Sequence, residues 1–167
     1  MKDLRIAFTG PESSGKTTMS KWLSEHFSFD FVEEYAREHL SQKTNYNRED
    51  LNKIATEQFR RYQASGNMAI DTEMLVMKVW FEEKYNYCSD LILELLERQK
   101  LDFYFLCKPD IPWEEDPLRE NPLDRDRLFM KYEENLIEQG FDYIVLEGTF
   151  IERKEIIIDT LRTKLLR

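Results

Sequence analysis

Short apolar runs alternate along the chain with stretches whose apolar residues recur at helical spacing. The runs are rich in Ile, Val, Phe, Tyr and Leu, as buried parallel strands are, and they lie at Leu4–Thr9, Phe29–Val32, Met68–Asp71, Leu101–Cys107 and Tyr143–Glu147. The stretches between and after them predict helices at Lys16–Phe27, Arg48–Gln63, Glu73–Tyr85, Ser89–Gln99, Asp124–Glu138 and Phe150–Leu165. This alternation predicts a three-layer α/β fold, in which a five-stranded parallel sheet carries helices on both faces.

Length and composition limit the kind of molecule that this pattern builds. The 167 residues suit a single domain, residues 1–167, and 41% hydrophobic with 34% charged residues is typical of a globular chain. The net charge of −9 disfavours nucleic acid as a partner, and the apolar runs are too short to cross a membrane. The first residues, MKDLRIAFTG, contain no signal segment, so we expect a cytoplasmic protein. The oligomeric state stays open.

Neither the cysteines nor the histidines have the spacing of a metal or catalytic site. Cys88 and Cys107 are far apart in the sequence, which indicates two reduced packing residues. His26 and His39 are isolated, and we expect both to be structural or exposed.

Residues 10–17 read GPESSGKT and fit the pattern G-x-x-x-x-G-K-[ST] between a predicted strand and a predicted helix. Such a P-loop turns its backbone N–H groups inward to wrap phosphates. Lys16 is expected to reach the β- and γ-phosphates, and Thr17 to offer a hydroxyl to Mg²⁺. The sequence therefore predicts that ATP and Mg²⁺ are bound by Gly10, Glu12, Ser13, Ser14, Gly15, Lys16, Thr17 and Thr18.

Several P-loop classes can be compared with the rest of the chain. The base-reading N-K-x-D of GTPases is absent, and the last strand ends in Leu-Glu-Gly instead of the Asp-Glu of AAA-type motors. Small-molecule and nucleoside kinases remain, and these typically add a mobile lid with arginines. The proline-rich segment around residues 112–128 supplies such a lid, with Arg119 and Arg125 as candidate catalytic residues beside Arg127. The alternative is a solvated charged loop.

Further candidates follow the second and third strands, at the sheet edge where the P-loop begins. Asp71 is placed to bind Mg²⁺ or to take a proton from a substrate hydroxyl, unless it serves only as a helix N-cap. An acid, an aromatic residue and a cation follow the second strand as Glu34, Tyr35 and Arg37, and together they could read a sugar. Trp80 is either a stacking surface for a flat cationic ring or a core residue.

Six segments occur in an order that resembles one family. They are GPESSGKTT at 10–18, EEYAREHL at 33–40, IDTE at 70–73, KVW at 78–80, YFLCKPDIPWEEDPLRENP at 104–122 and VLEGTFIER at 145–153. Over nearly the whole chain they resemble the ribosylnicotinamide kinase domain of NadR proteins. The resemblance implies transfer of phosphate from ATP, with Mg²⁺, to the 5′-hydroxyl of nicotinamide riboside, which gives nicotinamide mononucleotide.

Site residues carry over from this resemblance by position. It implies that Lys16 and Thr17 hold the phosphates and Mg²⁺, that Asp71 is the strand-end acid and that Arg119 and Arg125 belong to the lid. It also implies an adenine loop and a riboside end, made respectively by Gly148, Thr149 and Arg153 and by Glu34, Tyr35, Trp80, Asp110 and Trp113. Either Asp71 or Glu34 could be the catalytic base.

The chain departs from the family in two respects. The adenylyltransferase motif H-x-G-H and the repressor domain of some NadR proteins are absent, so the resemblance implies the kinase step alone. Where Asp-Thr-Asp is expected, the chain has Asp71-Thr72-Glu73, and the longer side chain displaces the second carboxylate. Two alternatives stay open: a kinase for another nucleoside or small metabolite, and an ATP-binding regulatory module that is not a kinase.

Overall fold

The computed structural model describes residues 3–165, and its centre is a parallel sheet of five strands in the order β2-β3-β1-β4-β5. The strands are β1 (Arg5–Thr9), β2 (Asp30–Val32), β3 (Met68–Asp71), β4 (Phe103–Cys107) and β5 (Tyr143–Leu146). The helices are α1 (Lys16–Phe27), α2 (Tyr35–Leu40), α3 (Arg48–Arg61), α4 (Met74–Tyr85), α5 (Asp90–Arg98), α6 (Arg125–Gln139) and α7 (Phe150–Thr160). The predicted five-stranded parallel sheet is confirmed. Residues 1, 2, 166 and 167 of the predicted domain lie outside the described residues.

Alternate residues of the central strand face two separate cores. Ile6 and Phe8 of β1 pack with residues of α1 and α7, whereas Ala7 packs with residues of α2 to α6. All three side chains are completely buried. The sheet therefore lies between two helical layers, as the alternation of strands and helices predicted.

Side-chain caps determine where several helices begin. Asn47 and Asp50 form a capping box at the start of α3, and Thr149 and Glu152 form another at the start of α7. Each box satisfies backbone N–H groups that have no partner within the helix. These caps explain why both helices begin at or next to the predicted residues.

The structure differs from the sequence prediction in three places. Tyr35–Leu40 forms a short helix, α2, where only candidate site residues were predicted. The last helix ends at Thr160 and continues as a π-helical turn over Leu161–Leu165. The irregular segment spans 108–124, so the lid predicted around residues 112–128 overlaps the start of α6 at Arg125.

The order in which strands are added to the sheet changes direction at β1, which has β3 on one side and β4 on the other. Phe8 is opposite Asp71, and Thr9 is opposite Leu106. Ligands of open α/β sheets bind at such a switch point, outside the carboxyl ends of the strands. The loops after β1, β3 and β4 therefore meet at one edge.

Both cysteines are free thiols. Cys107 is buried in the core with α1 and α7, and Cys88 packs partly buried against the other core. Between residues 3 and 165, no helix combines the length and the apolar character needed to cross a bilayer.

Candidate active site

The backbone of the loop after β1 has a positive φ angle at three positions. Gly10 has φ 130°, Ser13 has φ 52° and Gly15 has φ 90°, all in the region that L side chains rarely adopt. A Cβ atom on Gly10 would lie 2.7 Å from the carbonyl oxygen of Cys107. Gly10 is thus required by the close approach of β4, in addition to any requirement of the phosphates.

Lys16 lies across the mouth of the P-loop. Its Nζ donates to the carbonyl oxygens of Gly10 at 2.8 Å and Pro11 at 2.7 Å. The ammonium group is therefore held at the centre of the loop, at the start of α1. A phosphate there would also meet the positive end of the helix dipole.

Arg153 supports the P-loop from behind. The side chain is 2% exposed, and it donates to the carbonyl oxygens of Ser14 at 2.6 Å, Gly148 at 3.1 Å and Lys108 at 2.8 Å. It also forms an ion pair with Asp110. The guanidinium is thereby fully engaged with protein oxygens and ties the P-loop to the ends of β4 and β5.

Asp110 lies with the predicted adenine loop and not with the predicted riboside residues. Its carboxylate accepts from the backbone N–H of Gly148 at 2.7 Å and from Arg153. Thr149 caps α7 through its hydroxyl. The resemblance assigned Asp110 to the riboside end because sequence order does not reveal that this loop folds back toward β5.

Asp71 lies directly beside the P-loop helix. The hydroxyl of Thr17 donates to Asp71 Oδ2 at 2.6 Å, while Asp71 Oδ1 is buried without a hydrogen-bond partner. Burial raises the pKa of Asp71 and the carboxylate of Glu34 adds to the rise, whereas the Thr17 hydroxyl and Lys16 lower it. This carboxylate oxygen is therefore available to a water, an ion or a substrate group.

The pair of Thr17 and Asp71 suits Mg²⁺. This ion prefers oxygen ligands, keeps several waters and is usually held by one or two side chains plus substrate phosphates. Across residues 3–165, no group of three or more His, Cys, Asp or Glu forms a metal cluster. The hydroxyl and the free carboxylate oxygen fit an ion that arrives with a nucleotide.

Glu73 has a structural role. It is completely buried and caps α4 by accepting from the N–H groups of Leu75 at 2.7 Å and Val76 at 3.3 Å. Thr9 and Gln99 also donate to it. The helix cap that was the alternative role for Asp71 is therefore provided by Glu73, which leaves Asp71 available to a ligand.

One cavity of about 220 Å³ joins the P-loop to the opposite wall. It contains the predicted residues Glu34, Arg37 and Trp80, and its remaining lining includes residues from α4, α6 and the lid: Val76, Val79, Glu83, Lys84, Ile111, Glu114, Leu118, Glu120, Asn121, Leu128 and Tyr132. The volume is below the roughly 300–1,000 Å³ of most ligand pockets. The cavity is open to solvent on one side, and the lid is the part of its wall without regular structure.

Both lid arginines predicted to be catalytic reach the P-loop. Arg125 donates to the carbonyl oxygens of Ser13 at 2.9 Å and Ile111 at 3.0 Å. Arg119 Nη1 lies 3.4 Å from Ser13 Oγ. Arg127 points elsewhere and pairs with Glu83 and Asp124.

Glu12 fastens the lid to the P-loop. Its carboxylate accepts from the backbone N–H of Glu120 at 3.0 Å and of Asn121 at 2.9 Å. The predicted role of Glu12 was nucleotide binding as part of the motif. Its contacts with the lid could not be predicted, because they join residues more than 100 positions apart.

The remaining predicted riboside residues divide into two groups. Arg37 pairs with Glu34 at 3.3 Å and with Asp116 of the lid at 2.6 Å, next to the cavity. Tyr35 packs under Arg61, with 4.5 Å from the guanidinium carbon to the ring centre, and does not line the cavity. Trp113 lies beside Arg125 and donates to Glu115, also outside the lining.

Two residues that sequence patterns missed are central to the acceptor side. Tyr46 accepts a hydrogen bond from Trp80 Nε1 at 2.9 Å. Glu83 binds Arg127 and Lys131, and these cations, Arg127 foremost, lower the pKa of Glu83 to about 2. Neither Tyr46 nor Glu83 lies in a motif. The sequence could have indicated a place for Glu83 near the cavity only because it shares a helical face with Trp80 and Lys84.

Comparison with known proteins supports this fold. A cytidylate kinase of Streptococcus equi subsp. equi (strain 4047) is 34% identical over 80 residues, which are 46% of this chain and 35% of that enzyme. The similarity thus spans about a third of that curated relative. It does not carry the relative's whole activity to this chain.

Solved structures of two kinds of protein are similar to the fold. A NadR protein in complex with NR superposes with a TM-score of 0.76 at 19% identity, over 99% of this chain and 52% of that chain. A deoxyadenosine kinase from M. mycoides superposes with a TM-score of 0.72 at 14% identity, over 96% of this chain and 99% of that chain. At these identities the likeness shows the fold, which is the predicted P-loop NTPase fold of nucleoside-kinase type.

A family described as "AAA domain", AAA_28, matches residues 5–153. The missing Asp-Glu pair after the last strand argued against an AAA-type motor, and the match to this domain family does not test that prediction. In the structure, β5 ends at Leu146, and Arg153 of α7 joins the loop after β5 to the P-loop. With its nucleoside-kinase-like architecture and its P-loop, the chain belongs to the AAA_28 family of AAA domains.

Proposed function

We propose that this chain is an ATP-dependent kinase that phosphorylates the 5′-hydroxyl of nicotinamide riboside and so forms nicotinamide mononucleotide. The observation that carries the proposal is the single cavity in which the P-loop faces Trp80, Glu34 and Arg37. A phosphate donor and a flat acceptor ring held in one enclosed space are what a nucleoside kinase requires. The likeness to a NadR protein in complex with NR supports this acceptor.

On the donor side, the chain's own groups would bind and orient ATP. Lys16 would exchange its contacts with Gly10 and Pro11 for phosphate oxygens, and the loop N–H groups would surround the same phosphates. Thr17 and Asp71 would hold Mg²⁺, which supplies charge neutralisation between the phosphates when it is bound. Arg119 and Arg125 would turn from Ser13 and its neighbours toward the transferred group.

On the acceptor side, Trp80 would offer a π surface to the positively charged nicotinamide ring. Glu34 and Arg37 would bind the ribose hydroxyls from the opposite end of the same wall. Asp71 would accept a hydrogen bond from the 5′-hydroxyl and hold its proton during transfer. Burial and the Glu34 carboxylate raise the pKa of Asp71, and a bound Mg²⁺ would oppose that rise.

A kinase for another nucleoside or for a mononucleotide is the second candidate. It is favoured by the partial match to a cytidylate kinase and by the lining cations Arg37, Lys84 and Arg119, which could bind an acceptor phosphate. Arg119 contacts the Ser13 hydroxyl and the carbonyl oxygen of Glu114. Arg37 is instead paired with Glu34 and Asp116, and Lys84 with Glu120. That pairing favours a neutral or cationic acceptor over an anionic one.

The test is a competition assay with products resolved by mass. Purified protein is incubated with ATP, Mg²⁺ and equal amounts of nicotinamide riboside, cytidine, deoxyadenosine and cytidine monophosphate. Nicotinamide mononucleotide as the dominant product would support the proposal. A different dominant phosphorylated product would show that another molecule is the acceptor. ATP binding without any phosphorylated product would favour a regulatory module.

A further inference from the structure

Segments that are distant in sequence meet at the lid residue Glu120. Its backbone N–H, together with that of Asn121, donates to Glu12 of the P-loop. Its carboxylate accepts from the hydroxyl of Tyr46 at 2.7 Å, and Tyr46 in turn accepts from Trp80 Nε1. Hydrogen bonds therefore run without a gap from the P-loop, through one lid residue, to the wall opposite the phosphates.

Tyr46 is held tightly at the middle of this path. Its ring meets the Trp80 indole edge-on, with centroids 5.4 Å apart, and Lys84 Nζ lies 3.7 Å from its ring centre. Lys84 also approaches the Glu120 carboxylate at 3.5 Å. Burial raises the pKa of Tyr46, and the hydrogen bond to Glu120 adds to the rise, so the phenol remains a hydrogen-bond donor.

Tyr46 does not line the cavity. It lies in a neighbouring groove with Leu40, Lys43 and Pro117, while its partner Trp80 lines the cavity itself. The two spaces adjoin, because Lys84 and Glu120 line both. Tyr46 can therefore act on a ligand in the cavity only through Trp80 and the lid, which makes it a positioning residue.

We propose that Tyr46 and Glu120 couple the two halves of the cavity, so that nucleotide binding at the P-loop sets the position of Trp80. Lid residues, Glu120 among them, line the same cavity as the P-loop, so a nucleotide bound there would contact the lid and displace Glu120. The bond from Glu120 to Tyr46 would then transmit this displacement to the indole. The coupling requires a second arrangement of this path, with the lid displaced, beside the one described above. The identity of the acceptor rests on the proposed function, whereas the coupling does not.

The fluorescence of Trp80 measures this coupling without any acceptor. In a Trp22→Phe/Trp113→Phe background Trp80 is the only tryptophan, and its emission is followed during titration with Mg²⁺ and the non-hydrolysable ATP analogue AMP-PNP. We expect a saturable change in the protein with Tyr46, and loss of that change in Tyr46→Phe. Calorimetry on the same samples confirms that AMP-PNP still binds.

Tyr143→Phe is the matched control. Tyr143 also donates its hydroxyl to a carboxylate, that of Glu133 at 3.0 Å, but it lies on β5. The control should keep the full fluorescence change. Glu120→Met removes the acceptor of the Tyr46 hydroxyl but keeps the backbone N–H that binds Glu12, and it should reproduce the loss. It replaces Tyr46→Phe if that variant does not fold.

Two results would overturn the coupling. One is a Trp80 response of equal size in Tyr46→Phe or Glu120→Met, which would mean that the nucleotide or another route acts on the indole. The other is no Trp80 response in the protein with Tyr46 although AMP-PNP binds. Failure of the proposed function appears separately, as absence of nicotinamide mononucleotide in the mass assay, and it leaves the fluorescence result unchanged.

Discussion

The halves of the cavity that we propose to bind the phosphate donor and the acceptor, called here the donor half and the acceptor half, are built from different kinds of contact. The donor half is mainly backbone, with loop carbonyls that bind Lys16 and Arg153. The acceptor half consists of side chains from separate segments, such as Arg37 after β2, Trp80 in α4 and Glu120 in the lid. A short motif suffices for the first half, whereas the second depends on packing between distant segments. Acceptor specificity can therefore change while the fold and the nucleotide loop stay the same.

The largest effect should come from the donor half. Lys16→Ala removes the ammonium from the P-loop and should lower kcat by at least about 10²- to 10³-fold, because a fixed charge at the phosphates is lost. The melting temperature should stay close to that of the wild type, since Lys16 Nζ bonds only to carbonyls of its own loop. Mass-resolved kinetics and thermal denaturation give both values.

Lys21→Ala is the control for Lys16→Ala. Lys21 is an exposed lysine on the same helix, and its removal should change neither quantity. Wild-type turnover in Lys16→Ala would contradict the role of the donor half in catalysis.

The next largest effect should come from Asp71, which lies beside the P-loop helix where the two halves of the cavity meet. Asp71→Asn keeps the shape of the side chain but removes its charge, and it should lower kcat by about 10²-fold, the lower end for a lost acid–base group. The Kd of ATP, measured by calorimetry, should change much less. An unchanged kcat would move the base to Glu34, and Glu34→Gln would then be expected to show the loss.

A moderate effect should separate the acceptor half from the donor half. Trp80→Ala should raise the KM of the acceptor about tenfold, because stacking on an aromatic ring is worth roughly 1–3 kcal/mol. The KM of ATP should stay unchanged, and Trp80→Phe, which keeps a ring, should show a smaller rise. Loss of folding in Trp80→Ala would instead assign Trp80 to the core.

The smallest expected effect is on the stability of the fold and not on the reaction rate. Asp50 accepts from His39 at 2.9 Å and pairs with Lys43, and these contacts, that of Lys43 above all, hold the pKa of Asp50 well below its ordinary value. Its contribution is therefore complete above the unfolded pKa of about 3.9 and is lost as the pH falls below it. Asp50→Asn should lower the melting temperature at about pH 7 by on the order of 3 °C.

The critical measurement is how the difference in melting temperature between the wild type and Asp50→Asn depends on pH. The gap between wild type and Asp50→Asn should narrow as the pH falls below about 4, since the wild type then loses the same charge. Asp90→Asn is the control, because Asp90 is exposed in the first turn of α5. A gap that stays constant with pH would show that the charge of Asp50 does not stabilise the fold.

The sequence predicted what depends on local pattern. All five strands lie within the predicted runs, and the P-loop and its helix begin where the motif indicated. The short helix α2 was missed because its six residues are too few to show a helical period. The cap formed by Glu73, in place of the expected aspartate, was also missed, because its four donors come from separate segments of the chain.

Most of the acceptor wall could not be predicted, for a physical reason. Tyr46, Glu83 and Glu120 owe their positions to contacts across 34 to 74 sequence positions, which no spacing rule contains. Asp110 shows the same limit. It lies close to Trp113 in the motif, but it accepts a hydrogen bond from Gly148, and Trp113 takes no part in that contact. Motifs identify residues near a sheet edge but do not assign them to one end of a cavity.

The buried Arg153 has a consequence for the order in which the protein is made. It binds the carbonyl oxygen of Ser14 across 139 positions, so the P-loop lacks this support until α7 has left the ribosome. All five strands precede Arg153 in the chain, and a domain folds as a unit. A nascent chain therefore cannot complete the support of its P-loop before its last helix has emerged.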